Sequence, residues 1–383
     1  MIIWNTIFDF AENRRDISFN ASGFNEIDNV IFSRLSYLDF KEHTGKTLKA
    51  VSESFVYTPE EELNKRNKNL VKTEDLLKLL GSTKRYASVV VTDFTESPEK
   101  STTTAFSATV FKLTESTSYI AYRGTDEKII GFYEDAELAY SFPIAAQLAA
   151  LSYTNKILSE QSGIFIIGGH SKGGNLAMFS YIFTNEENKA RIPTVYNNDG
   201  PGFPKDLVNI LFTPQTAEKI INILPDSSIV GRMLEAGGKR VIIKSSAIGA
   251  SQHNVFTWLI NGEEFEKAEK FSALSEYMDS TLTESLDTVS QNGLQKAVKA
   301  IYDIAKQSGI YTLDDINKKN YIFILLAIIQ AVKSTDNAGS EVGEIIKALA
   351  KSLLNSIDIK LLLNEFDFET IKALIEAKKK EDA

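Results

Sequence analysis

The stretch that decides the fold is residues 163–178, which read GIFIIGGHSKGGNLAM. It begins with an apolar, β-branched run at residues 164–167, which is long enough for one buried strand. A glycine-rich turn follows, with Ser171 at its centre, and the sequence NLAMFSY from Asn175 onward favours a helix. The pattern therefore predicts a strand, a tight turn and a helix in direct succession.

This succession is typical of a nucleophile elbow. The sharp turn lifts the serine hydroxyl clear of the carboxyl edge of a sheet, and glycine at the flanking positions lets the strand and the helix pass close together. The amino end of the helix favours developing negative charge. A bare Gly-x-Ser-x-Gly pattern also occurs by chance, in a glycine-rich turn with an incidental serine. Because the strand and the helix are both indicated here, Ser171 is the predicted nucleophile.

Strand-like and helix-like segments alternate around this turn. Strand patterns occur at residues 105–113, 118–122, 192–196, 219–224 and 239–244. Helical patterns mark residues 26–40 and 143–158. Residues 41–84 are charged and irregular, and we interpret them as a solvated surface excursion rather than a cover over a site. The alternation predicts an α/β fold with a mostly parallel central sheet flanked by helices.

A change in composition divides the chain near residue 262. Beyond it strand patterns vanish, and amphipathic helical segments such as residues 294–307 and 342–354 follow. We therefore predict an α/β domain over residues 1–261 and a helical C-terminal region over residues 262–383. The expected role of the helical region is packing, homo-oligomerisation or contact with a protein partner.

Composition excludes several classes of function. The 383 residues carry a net charge of −9, so there is no basic footprint for nucleic acid. The absence of cysteine excludes disulfides and thiolate sites, and three histidines among scattered acids predict neither a metal nor another cofactor. The first residues do not resemble a secretory signal, and the longest apolar run, residues 321–332, is too short to cross a bilayer. A cytoplasmic enzyme without a transmembrane segment is the expectation.

A serine nucleophile needs a general base, which a carboxylate must orient. His253 follows the last strand, in the chain order Ser–Asp–His, and is the predicted base. His170 is expected to point away from the nucleophile as a structural residue, and His43 to lie on the surface. Asp226, after the strand at 219–224, is favoured as the acid, with Asp199 at the end of the preceding strand as the alternative.

An oxyanion hole requires two preorganised donors. The first candidate is the backbone N–H of Lys172, directly after the nucleophile. The second is Thr125, in the segment Arg123-Gly124-Thr125-Asp126 at the end of a strand-like run, with its hydroxyl in a supporting role. The alternative for this segment is a β-turn with an exposed ion pair.

These motifs resemble a known family. YRGTD at residues 122–126 and GHSKGG at 169–174 are similar to the oxyanion segment, (F/Y)RG(T/S), and the GHSxGG elbow of class 3 lipases. The likeness is closer to a related α/β-hydrolase branch, the Mbeg-like proteins, and extends over residues 24–260 through segments such as GFYEDAEL, NNDGPGF and DSSIVGRMLE. The resemblance implies an α/β-hydrolase fold and a triad of Ser171, Asp226 and His253.

Two positions depart from the class 3 lipase pattern. Those lipases carry the acid in an Asp-x-Val-Pro setting, whereas Asp226 lies in the sequence PDSSIV. They also usually carry a leucine-like residue after the nucleophile, where this chain has Lys172. A lysine at that position is expected to steer an anionic substrate or to be simply exposed.

The predicted function is that of a serine hydrolase, lipase-like or esterase-like, acting on small-molecule or lipid esters through an acyl-enzyme. A thioesterase or a peptidase would use the same triad. An alternative from a different class is a non-catalytic hydrolase-fold protein that binds a partner through its C-terminal helices.

Overall fold

A computed structural model describes residues 5–62, 67–97, 104–126, 129–273, 275–276, 295–296, 298–299, 302–303 and 306. Within these residues, seven strands form one sheet in the order β1 to β7. Their bounds are Val90–Glu96 (β1), Ser107–Lys112 (β2), Thr117–Tyr122 (β3), Ile164–His170 (β4), Val195–Asn198 (β5), Ile220–Pro225 (β6) and Lys239–Ile243 (β7). A small hairpin pairs β8, Ile260–Asn261, with β9, Glu264–Phe265.

The sheet is antiparallel at one edge and parallel over the rest. Strands β1, β2 and β3 pair antiparallel, and every pair from β3 to β7 is parallel. Because parallel strands end at the same edge, the turns after β3, β4, β5 and β6 all meet there. The turn after β4 lies near the middle of that edge. The predicted α/β-hydrolase fold, with its mostly parallel central sheet, is confirmed.

Helices cover both faces of the sheet. Their bounds are Ile7–Asn13 (α1), Glu26–Leu35 (α2), Leu48–Ser54 (α3), Lys68–Gly81 (α4), Ile129–Glu137 (α5), Ala145–Glu160 (α6), Lys172–Phe183 (α7), Glu186–Ala190 (α8), Lys205–Leu211 (α9) and Pro214–Lys219 (α10). Strand β3 shows how the faces divide. Tyr119 and Ala121 join a core with α1 to α4, whereas Ile120 and Tyr122 join a second core with α6 and α7. This alternation follows from the two-residue period of a strand.

The segment at residues 41–84 differs from its prediction. It contains α3 and α4, and Leu76, Leu77 and Leu80 of α4 are fully buried. The helix spacing of these leucines places them on one face, so the charged residues between them can face solvent. His43, expected on the surface, is buried and stacks on Phe55 with ring centroids 5.7 Å apart.

The α/β unit also continues past the predicted boundary at residue 261. Strand β9 lies beyond it, and its Phe265 is buried against Trp258. The predicted helix at residues 342–354 lies outside the described residues, as does most of the one at 294–307. No helix in the described part of the chain is both long and apolar enough to traverse a membrane.

Candidate active site

Ser171 occupies a strained turn between β4 and α7. Its φ of 59° and ψ of −135° lie in a left-handed region that side chains other than glycine seldom adopt. Such a conformation costs on the order of 1–3 kcal/mol and is held by its surroundings. One restraint is direct, because the Ser171 N–H donates to the carbonyl of Asn198 at 3.0 Å. The predicted strand, turn and helix are therefore present, with the serine at the sheet's carboxyl edge.

The flanking glycines are required by close packing of the backbone. A Cβ on Gly169 would lie 2.4 Å from the carbonyl carbon of Gly173, and a Cβ on Gly173 would lie 2.1 Å from the carbonyl oxygen of Tyr122. Both distances are far below any tolerable contact with immobile backbone atoms. The elbow therefore fits against β3 only because these two side chains are absent.

Asp199 is the carboxylate that pairs with His253. It directly follows β5, and its φ of 51° is a left-handed conformation that aspartate tolerates better than most residues. Its Oδ2 lies 2.7 Å from Nδ1 of His253, and the carboxylate is only 1% exposed. Because a carboxylate accepts, Nδ1 carries the proton and the neutral ring presents a lone pair at Nε2. The imidazole is therefore in the tautomer that a general base requires.

Two neutral donors hold the other oxygen of Asp199. The hydroxyl of Ser228 donates to Oδ1, and so does the N–H of Gly231 at 3.2 Å. Ser228 is in turn fixed by Ser275, whose hydroxyl donates to the Ser228 carbonyl at 2.6 Å. The carboxylate therefore has partners at both oxygens, which offset the cost of burying its charge.

Asp226 was preferred for this position on the sequence, but the structure pairs His253 with Asp199 instead. Asp226 follows β6, and its N–H donates to the carbonyl of Ile243. Its Oδ1 is buried and has no hydrogen-bond partner in the described part of the chain. The reason lies in the sheet order. β5 neighbours the nucleophile strand, whereas β6 is one strand further away, and the loop that carries His253 returns to the end of β5. Asp199, the alternative, occupies the position.

Lys172 is buried, so neither expectation for its side chain holds. Its Nζ lies 2.6 Å from Oε2 of Glu134 on α5 and donates to the carbonyl of Ala105 at 3.3 Å. Its side chain is 0% exposed and that of Glu134 is 1% exposed. Asp135 completes the cluster, with Oδ1 at 4.0 Å from Nζ. Burial raises the pKa of the Glu134 carboxyl and of the Asp135 carboxyl.

The hydroxyl of Thr125 is hydrogen-bonded to a residue of α5. It donates to Oδ2 of Asp135 at 2.6 Å, so the hydroxyl proton is not directed at a substrate oxygen. Its neighbour Gly124 packs against the elbow, since a Cβ there would lie 3.0 Å from Cβ of Ser171. The backbone N–H groups of Thr125 and Lys172 therefore remain the candidate oxyanion donors. Lys172 is the first residue of α7, where helix N–H groups have no partner within the helix.

His170 contacts His253, the candidate base, instead of simply filling the core. Its ring centroid lies 4.4 Å from that of His253, and its Nε2 lies 2.8 Å from the His253 carbonyl oxygen. The hydroxyl of Ser171, by contrast, makes no hydrogen bond to His253 among the contacts of the described residues. Such bonds are often long before substrate binds.

Several site residues were not anticipated as such. Ser228 and Gly231 hold Asp199, Glu134 holds Lys172, and Asp135 holds Thr125. The only sequence signal for them was their place in the DSSIVGRMLE and GFYEDAEL segments. Within the described residues, no group of three or more histidines and acids is arranged to hold a metal ion.

Comparison with known proteins places the chain in one family. The sequence model of the family described as Mbeg1-like matches residues 80–303, more than half of the chain. Curated proteins include no match to the sequence. Among solved structures, lipase II from Rhizopus niveus is similar over 48% of this chain and 74% of its own, at 14% identity and a TM-score of 0.33. A mutant form of MDLA from Penicillium cyclopium is similar over 65% of this chain and 87% of its own, at 10% identity and a TM-score of 0.37.

Proposed function

Because the chain belongs to the Mbeg1-like family and has a lipase-like hydrolase fold, we propose that it is a serine hydrolase that cleaves carboxylic esters. The observation that carries the proposal is the pairing of the buried Asp199 with the partly exposed His253, at the same sheet edge as a serine in a strained elbow. That arrangement combines a nucleophile, a base in the correct tautomer and an orienting acid.

The proposed reaction proceeds through an acyl-enzyme. Nε2 of His253 takes the proton of Ser171 as the hydroxyl attacks the ester carbonyl, and Asp199 stabilises the imidazolium that forms. The N–H groups of Lys172 and Thr125 bind the oxyanion. The tetrahedral intermediate collapses, and His253 gives its proton to the departing alcohol. His253 then takes a proton from a water molecule as that water attacks the acyl-enzyme, and returns the proton to Ser171 as the carboxylic acid leaves.

The substrate is assigned only by class. Small-molecule or lipid esters fit the lipase-like fold, and the proposal includes a cytoplasmic location. Acyl length is open to direct measurement, because hydrolysis of p-nitrophenyl esters from acetate to palmitate gives a chain-length profile that separates an esterase from a lipase.

The decisive experiment compares wild type with Ser171→Ala and His253→Ala on that ester series. Each variant should lose about 10⁶-fold in kcat, since removing a triad nucleophile or base costs about that much in a serine hydrolase. Ser246→Ala, on an exposed serine of the loop before His253, is the matched control and should keep full activity. Turnover that survives Ser171→Ala would overturn the assignment.

A second candidate is a non-catalytic protein that keeps the hydrolase fold for binding. It is favoured by the lack of a Ser171–His253 hydrogen bond among the described contacts. Labelling with a fluorophosphonate separates the two candidates, because the reagent reacts only with an activated serine. Labelling of wild type and of Ser246→Ala, but not of Ser171→Ala, supports the hydrolase; an unlabelled wild type supports the binding protein.

A further inference from the structure

The triad does not use His170, yet this residue bonds directly to the backbone of the proposed base. Its Nε2 lies 2.8 Å from the carbonyl oxygen of His253. A carbonyl oxygen can only accept, so Nε2 must carry a proton and donate. This is the one hydrogen bond that links the elbow side chains to the backbone of the His253 loop among the described contacts.

The same bond decides the state of the other ring nitrogen. With the proton on Nε2, Nδ1 of a neutral His170 carries a lone pair and accepts. Its partner is the hydroxyl of Tyr37, at 3.2 Å, which must therefore be the donor. Tyr37, His170 and the His253 carbonyl form a chain of hydrogen bonds in which every donor and acceptor is determined.

Tyr37 is itself fixed in position. The guanidinium of Arg34 lies over its ring, 4.1 Å from the centroid. Its hydroxyl lies so close to Gly124 that a Cβ there would be 2.4 Å away. The tyrosine therefore connects α2 to the loop of the candidate oxyanion donor as well as to the elbow.

The surroundings keep both groups neutral. Burial holds the pKa of His170 well below its usual range, and the neighbouring side chains of His253 and Arg34 act in the same direction. Burial raises the pKa of Tyr37 to about 12. The ring of Trp258 also faces His170 and carries no titratable group. Both shifts favour the neutral forms that the hydrogen-bond chain requires.

We infer that His170 and Tyr37 are positioning residues that hold the general base, His170 by donating to the backbone of His253 and Tyr37 by fixing the ring of His170. This inference rests on the proposed function, in which the placement of His253 controls catalysis. A displacement of about 1 Å in a catalytic group can cost 10²-fold in rate. His170 binds the backbone carbonyl of His253, whereas Asp199 binds its ring at Nδ1.

The kinetic test compares His170→Phe, His170→Gln and Tyr37→Phe on p-nitrophenyl butyrate. His170→Phe keeps a ring but removes the donor, so kcat should fall 10–100-fold with KM within about twofold. His170→Gln restores an N–H at the position of Nε2 and should recover most of that loss. Tyr37→Phe should give a smaller decrease of about 3–10-fold, because His170 keeps its bond to His253. Equal loss in the phenylalanine and glutamine variants at residue 170 would overturn the inference.

A second measurement does not depend on turnover. Two-dimensional ¹H–¹⁵N spectra of the histidine side chains report which nitrogen carries the proton, and the His170 signals are assigned by their absence in His170→Gln. We expect a protonated Nε2 and a bare Nδ1, unchanged between pH 5.5 and 9. A proton on Nδ1, or titration in that range, would contradict the hydrogen-bond chain whether or not the protein cleaves esters. Absence of ester turnover in the wild type, with this tautomer observed, would instead count against the proposed function.

Discussion

The two sides of Ser171 are built on different principles. On one side, a single buried carboxylate, Asp199, meets a ring N–H, a hydroxyl and a backbone N–H. On the other side, two carboxylates of α5, Glu134 and Asp135, share one buried ammonium group, that of Lys172. The first side has a partner for each oxygen, whereas Oδ1 of Asp135 is buried and has no hydrogen-bond partner among the described residues.

The two sides of Ser171 also differ in how deeply they are buried. Asp199 lies directly after a fully buried strand, β5, and the hydroxyl that holds it belongs to Ser228, which is also buried. Helix α5 is covered less completely, and its Phe132 is 43% exposed. Asp199 is held by hydrogen-bond donors and does not depend on a buried cation. In the α5 cluster, removing one charged residue leaves its partner as an unpaired buried charge. The acid side is therefore built for fixed geometry, and the α5 side depends on electrostatic pairing.

Asp199→Asn should produce the largest effect. The amide keeps the shape but can present its NH₂ to His253 and so favour the wrong tautomer, which lowers kcat about 10⁴-fold in a serine triad. The matched control is Asp226→Asn, which should leave kcat within about threefold, because Asp226 does not contact His253. The measurement is ester turnover of the purified variants. The reverse ranking of the two variants would show that the sequence-based preference was correct.

Lys172→Met tests the α5 side through stability. It leaves Glu134 buried without its cation, and breaking one partner of a buried pair costs about 3–5 kcal/mol. The double variant Lys172→Met, Glu134→Leu removes both charges and should return to within about 1 kcal/mol of wild type. Chemical denaturation monitored by circular dichroism gives the free energies of unfolding. Lys267→Met, in the exposed pair with Glu264, is the control and should have no measurable effect.

Asp135→Asn should have the smallest effect, and it should depend on pH. Because burial raises the pKa of the folded carboxyl, the folded state holds its proton more tightly than the unfolded state does. The wild-type contribution is therefore fully present below the ordinary aspartate pKa and is lost as the pH rises through the raised value. Relative to wild type, the asparagine variant should therefore become more stable as the pH rises from 4 to 8. A difference in unfolding free energy that does not change with pH would contradict this expectation.

The sequence predicted the elbow because its determinants are local. A β-branched run, a glycine-flanked serine and a helix former are adjacent in the chain, and each limits its own backbone. The sheet followed from the same kind of local pattern. The segment at residues 41–84 was misinterpreted because the leucines that form the buried face of α4 are separated by charged residues. Helical periodicity was the signal that would have identified it.

The acid and Lys172 could not be predicted from local pattern. The choice between Asp199 and Asp226 depends on which strand end the His253 loop reaches, and this is a matter of tertiary packing. Lys172 was expected at the surface because lysine is seldom buried, and its partner Glu134 is 38 residues away along the chain. In both cases the deciding contact joins residues that lie far apart in the sequence.

The close packing at Gly169 and Gly173 has a consequence for variation in this protein. The contact surface between the elbow and β3 is specified by two missing side chains, so the smallest possible addition, one methyl group, is already too large. In a library of random variants, those with alanine at either position should fail to fold, so they should be lost before any selection for activity. The shape of the elbow therefore limits which sequence variants of this protein can fold, whatever reaction the site carries out.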